Sequence, residues 1–99
     1  MSETTVYNYY IGLNDKDTHK QIVSTSVMEM KVNTILYAYG LYNYTIKNCK
    51  GMFRGESENT LNIFLTNKAI PRVALEDIKK ELNQECIMES ITTANINFI

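Results

Sequence analysis

The sequence predicts one α+β domain: a four-stranded antiparallel sheet with two helices packed on one of its faces. Three observations carry the prediction. Two stretches repeat apolar residues at helical spacing and begin and end on helix-capping residues. Four other runs are rich in strand formers, and in the first and third of them side chains sort by alternation onto two faces. The 99 residues suffice for one core and not for two.

After a frayed start at Met1–Glu3, the first strand spans Thr4–Gly12. Tyr7, Tyr9 and Ile11 point one way and Val6, Asn8 and Tyr10 the other, so one face is wholly apolar and suits a central strand. Leu13–Val23 is a long irregular segment, a length more often functional than connecting. Ser26 and Glu29 make a capping box that starts a helix near Val27. Met28, Val32, Ile35, Leu36 and Tyr39 form its apolar stripe, and Gly40 ends it in a left-handed conformation with Leu41 folding back. Tyr44–Phe53 is the second strand, in which Gly51 marks a bulge or a close backbone approach. Arg54–Asn59 is a polar turn, and Thr60–Thr66 the third strand, with Leu61, Ile63 and Leu65 on one face. Pro71 opens a second helix whose stripe is Val73 or Ala74, Leu75, Ile78 and Leu82, with Asn83 at its C-cap. Its mixed charges, from Arg72 to Glu81, are a solvated face. Glu85–Thr92 is the fourth strand. The apolar tail Thr93–Ile99 should dock on the sheet or on a neighbouring subunit.

This order is the ferredoxin-like βαββαβ arrangement, with strand order fourth, first, third, second. The sheet face away from the helices should expose aromatic and aliphatic side chains, a patch that calls for a partner surface. A homo-oligomer, with a trimer favoured, is the natural solution. A chain of this size buries only about 60–65% of its unfolded surface, which adds to that pressure.

A net charge of −1 excludes a nucleic-acid or membrane-surface patch, and no apolar run approaches the length of a membrane span. With no signal-peptide pattern at Met1–Tyr10, the expected location is the cytoplasm. Cys49 and Cys86 stand alone and read as small buried hydrophobes rather than a disulfide. All seven tyrosines fall between Tyr7 and Tyr44, as core and subunit packing or as a stacking surface for a planar ligand.

The residues able to carry chemistry lie in two segments. In Asn14–Lys20, Asp15, Asp17 and His19 alternate as metal ligands could, but the spacing fails the calcium-loop template. Lys16, Thr18, His19 and Lys20 could receive an anionic group, or Asn14 and Asp15 could simply satisfy their own turn. In Gly51–Asn59, Arg54 precedes Glu56 and Glu58, as a turn ion pair or as a site for a zwitterionic or phosphate-bearing ligand. Phosphate-cradling and nucleophile-elbow motifs are missing. With one histidine, acid–base work would fall on Glu56, Glu58 or a tyrosine. The candidate ligand-binding set is Tyr10, Asn14, Asp15, Lys16, Thr18, His19, Lys20, Arg54 and Glu58, with no catalytic residue, metal site or cofactor assigned.

Through Gly12–Thr18, Gly51–Phe53 and Leu82–Glu85 the chain resembles small phage and prophage proteins of unassigned function. Those proteins carry a Gly-Leu-Asn-Asp-Lys-Asp-Thr loop after the first strand. More distantly it is similar to phage S-adenosylmethionine lyases, on Gly40-Leu41-Tyr42, Gly51-x-Phe53-Arg54, Glu58 and Gln84-x-Cys86. That family is ferredoxin-like and trimeric and binds its ligand between subunits. It uses a tyrosine where Phe53 stands and acidic residues near Glu58. Phe53 lacks the hydroxyl, which points away from lyase activity and leaves the scaffold comparison intact. The resemblance implies a phage counter-defence protein acting in the host cytoplasm, sequestering a nucleotide-like small molecule at a subunit-interface pocket contacted by Asn14–Lys20, Arg54 and the tyrosines. The alternatives are an S-adenosylmethionine-cleaving enzyme, with Glu58 positioning the substrate and Arg54 its carboxylate, and an inhibitor that docks on a host defence protein.

Overall fold

A computed structural model describes residues 3–99. Its elements are β1 (Glu3–Gly12), α1 (Thr25–Ala38), β2 (Thr45–Phe53), β3 (Glu56–Thr66), α2 (Arg72–Glu81) and β4 (Met88–Asn95). The four strands form one antiparallel sheet in the order β2-β3-β1-β4, as the ferredoxin-like pattern requires. Of the frayed start expected at Met1–Glu3, Met1 and Ser2 lie outside the described residues, and Glu3 already opens β1.

The core sits between one sheet face and the helices. Tyr9, Ile11, Leu61 and Ile63 from the sheet meet Val32 and Leu36 of α1 and Ala74 and Ile78 of α2, all fully buried. Each large apolar side chain so buried contributes about 1.5–3 kcal/mol. Tyr9 also hides a polar end: its hydroxyl donates to Glu89 at 2.7 Å and accepts the Ile70 N–H at 3.0 Å. Burial, with the Glu89 carboxylate beside it, pushes this phenol well above its usual pKa.

Several boundaries differ from the sequence reading, each for a local reason. Helix α1 is capped by Ser24, whose Oγ accepts the Val27 N–H, so it starts ahead of the Ser26–Glu29 box. Its end is as expected: Gly40 has φ 77°, and Leu41 N–H reaches back to the Leu36 carbonyl. Pro71 is the N-cap of α2 rather than its first residue, and Ala74, not Val73, faces the core. Strand β3 starts at Glu56, before the expected Thr60, because the turn is only Arg54-Gly55. Both turn residues have positive φ (53° and 78°), the geometry of a tight hairpin. Strand β4 starts at Met88 instead of Glu85, because Gln84 is drawn inward by side-chain hydrogen bonds. Gly51 causes no bulge; its register with Glu58 is regular, and Thr60 Oγ1 would lie 2.9 Å from a Cβ there.

Three further expectations are corrected. The open sheet face mixes Tyr10, Phe64 and Met88 with Thr66, Asn62, Lys47 and Ser90, so it is no continuous apolar patch. Of the tail expected at Thr93–Ile99, Thr93, Ala94 and Asn95 extend β4 and pair with β1, whereas Phe98 and Ile99 are exposed and do not pack on this sheet. Cys49 and Cys86 are exposed free thiols, not buried hydrophobes, and Cys86 lies in the α2–β4 connector. Among the described residues no helix is long and apolar enough to cross a membrane.

Candidate functional site

Gly12 ends β1, Phe53 ends β2, Glu56 begins β3 and Met88 begins β4, so these residues gather at one end of the sheet. On the open face at that end lies a pocket of about 350 Å³. Tyr10, Gly12, Gly51, Glu58, Thr60 and Met88 face it from the sheet. The β1–α1 loop, the β2–β3 hairpin and the α2–β4 connector make its walls.

The sheet end of the pocket is set by Gly12. A Cβ on Gly12 would collide with the Glu58 carboxylate, so only glycine lets that group lie across β1. There Glu58 Oε2 accepts the Asn14 N–H at 3.1 Å, which ties β3 to the start of the loop.

The loop is wound about Asp15. Asp15 Oδ1 accepts the N–H groups of Asp17 and Thr18 at 2.9 and 3.0 Å, and Oδ2 accepts the Asn83 side-chain amide at 2.7 Å. The Asn83 amide first, then these backbone donors, hold the Asp15 carboxyl below the usual aspartate pKa. His19 sits at φ 63° and its N–H donates to the Asp15 carbonyl at 2.8 Å. Asn83 has φ 50°, one residue beyond the Leu82 C-cap of α2, which aims its amide at Asp17 as well, at 2.9 Å. Next to it the Gln84 amide donates to the Asn14 carbonyl at 2.8 Å. Residues 16–20 of the loop are exposed, yet it is not loosely held. Its own aspartate organises it, and the end of α2 holds it.

On the opposite wall Arg54 stacks over the Phe53 ring, 5.0 Å from its centroid, and its Nη2 reaches Glu85 Oε2 at 3.2 Å and Oε1 at 3.5 Å. The sequence suggested Glu56 or Glu58 as its partner. The hairpin instead projects Arg54 outward to the connector.

Of the residues singled out in the sequence, Tyr10, Asn14, Asp15, Lys16, His19, Arg54 and Glu58 line the pocket. Thr18 and Lys20 do not; the Thr18 hydroxyl is engaged with the Lys20 backbone at 3.4 Å. Only Tyr10 of the tyrosines lines it. Tyr37 and Tyr42 pair with each other 5.1 Å apart, Tyr39 donates to Asp77, and Tyr44 donates to Asn33. Sequence reasoning missed Gly12, Phe53, Gln84, Glu85 and the two cysteines as pocket residues. A polar Asn-Gln-Glu run directly after a helix was the available signal. Among the described residues no cluster of three metal-ligating side chains occurs.

No family model matches the chain, and no curated protein matches it. Solved structures do. A phage SAM lyase in complex with S-methyl-5′-thioadenosine superposes with a TM-score of 0.67 at 13% identity, over 90% of this chain and 80% of the other. A phage SAM lyase in its apo state gives the same score and identity over 98% and 93%. The distant resemblance expected from Gly40-Leu41-Tyr42 and Gly51-x-Phe53-Arg54 therefore holds in three dimensions: the chain has the ferredoxin-like fold of those lyases.

Proposed function

We propose that the protein is a phage counter-defence protein that binds and holds an adenosine-bearing small molecule in the pocket at the end of its sheet, with a second copy of the chain covering the open side. The observation that carries this reading is the pocket lining. Tyr10 and Phe53 rings stand with the Glu58 carboxylate and the Arg54 guanidinium around about 350 Å³. The same fold in a phage lyase holds S-methyl-5′-thioadenosine. A concave site with aromatic walls and a few convergent polar groups suits such a ligand, since a purine ring can stack and its ribose can hydrogen-bond.

The charges narrow the class. Asp15, Glu56, Glu58 and Glu85 face Lys16, Lys50 and Arg54 around the pocket. A polyphosphate or a dinucleotide calls for surplus cations, whereas a nucleoside with a zwitterionic arm meets both signs. Glu58 Oε1 has no hydrogen-bond partner among the described residues and can accept from a ligand hydroxyl or ammonium. Phe53 offers a reacting ligand no hydroxyl, which supports holding over turnover.

The test is titration calorimetry with S-methyl-5′-thioadenosine, S-adenosylhomocysteine and a cyclic dinucleotide, together with native mass spectrometry. Saturable binding of the first two by an oligomer, and not of the third, is expected. No heat from any of them overturns the reading. A second reading, cleavage of S-adenosylmethionine, is favoured by the lyase neighbours. In it Glu58 positions the substrate and Arg54 its carboxylate. Thioadenosine product from S-adenosylmethionine, lost in Glu58→Gln, would establish that reading in place of sequestration.

A further inference from the structure

We infer that Glu85 is a built-in competitor for the ligand's anionic end: Arg54 exchanges Glu85 for a carboxylate of the ligand when the pocket fills. The inference rests on the pocket being the binding site proposed above, and it names what selects among adenosine-bearing ligands.

Four features support it. Arg54 and Glu85 lie on different pocket walls, the hairpin tip and the α2–β4 connector, and both line the cavity. Their pairing is weak, because the side chains are 59% and 56% exposed. The contact is also geometrically poor. A guanidinium and a carboxylate pair best fork to fork, through two nitrogens. Here a single nitrogen, Nη2, meets both Glu85 oxygens, at 3.2 and 3.5 Å. Nε and Nη1 have no hydrogen-bond partner among the described residues, so donors remain for an incoming anion. Finally, neither residue needs the other to hold its place. Arg54 sits in a left-handed turn (φ 53°) with its guanidinium over Phe53. Glu85 follows Gln84, which is anchored on Asn14. A carboxylate on a ligand arm can take the vacant face of a guanidinium that is already positioned.

The test compares S-adenosylhomocysteine, whose arm carries a carboxylate, with S-methyl-5′-thioadenosine, which lacks one, by calorimetry on the full chain. Removing an exposed competitor in Glu85→Gln should tighten S-adenosylhomocysteine by up to about fivefold and leave S-methyl-5′-thioadenosine unchanged. Arg54→Gln should erase the preference between the two ligands and make Glu85→Gln silent. Both sites are exposed, and a cooperative melt with a Tm lowered by no more than the few degrees that loss of the pair entails confirms that folding is intact. If Glu85→Gln weakens S-adenosylhomocysteine, Glu85 holds the ligand's ammonium and the inference falls. It falls too if both ligands change alike or neither changes. If the wild type binds neither ligand, the pocket reading and this inference fall together.

Discussion

Gly12→Ala tests the construction of the pocket at its tightest point. Gly12 is needed for space, since its backbone is not in the left-handed region. A Cβ at this position would lie 2.5 Å from Glu58 Cδ and 2.6 Å from Oε2. The obstacle is the far end of a flexible side chain, so the sheet survives and the carboxylate swings away. The loss is the Asn14 N–H···Oε2 bond of 3.1 Å. Such a bond to a charged group contributes about 1.5–3 kcal/mol when fully desolvated; in this half-buried place, where water can replace the acceptor, about 1 kcal/mol is expected. For a domain of this size that lowers Tm by about 4–8 °C. Binding of S-methyl-5′-thioadenosine should suffer as well, because the carboxylate no longer lies in its place. The assay is calorimetric melting of Gly12→Ala in the wild-type and Glu58→Ala backgrounds. With the carboxylate gone the three atoms nearest the added methyl are removed, and the substitution should cost less than about 0.5 kcal/mol, the usual limit of additivity. An equal loss in both backgrounds refutes the reasoning.

Asn83→Gly keeps the left-handed backbone but removes the amide that chiefly depresses the Asp15 pKa. By NMR titration that pKa should lie below 3.8 in the wild type and rise toward it in the variant. Because the folded value is depressed, the stabilisation is complete above 3.8 and is lost as pH falls through the folded value. Tyr9→Phe leaves the buried Ile70 N–H without its acceptor and should cost about 1–3 kcal/mol in urea unfolding near neutral pH. The raised Tyr9 pKa makes its contribution complete below the ordinary phenol value of 10.0 and declining as pH rises beyond it, a decline that the Tyr9→Phe variant cannot show. Cys49 and Cys86 are both exposed at the pocket, so both should alkylate readily in the native protein, and saturating S-adenosylhomocysteine should slow both. Rates indifferent to that ligand would argue against the pocket as its site.

The fold was legible because its signals are local. Alternation of Tyr7, Tyr9 and Ile11, the stripe of Met28, Val32 and Leu36, and Gly40 at a helix end each need only a short window of sequence. Element ends were less so, because they are settled by distant partners. Strand β4 starts late because Gln84 turns inward to the Asn14 carbonyl, an interaction seventy positions apart in sequence. The sequence pointed to Ser26 as the cap of α1, and the entry path of the folded chain gives that place to Ser24. At the site, the charged loop stood out by composition. The Asp15–Asn83 clamp and the Arg54–Glu85 pair did not, since no periodicity links residues that meet only after folding.

The three walls of the pocket are tied together unequally, and the inequality bears on how a ligand enters. The β1–α1 loop is fixed from both sides: Glu58 takes the Asn14 N–H, Gln84 gives to its carbonyl, and Asn83 clamps Asp15 and Asp17. At least four hydrogen bonds would have to break to move it. Between the hairpin and the connector the tie is the exposed Arg54–Glu85 pair. An exposed pair of this kind contributes about 0.2–1 kcal/mol. A ligand can therefore displace the weakest tie while Lys16, His19 and Glu58 stay in place. That is preorganisation, and it suits the ligand-holding role proposed above. The same inequality explains the position of Phe53. In the exchange inferred above, a ring beneath Arg54 would keep the guanidinium aimed, a task that needs an aromatic face and no hydroxyl.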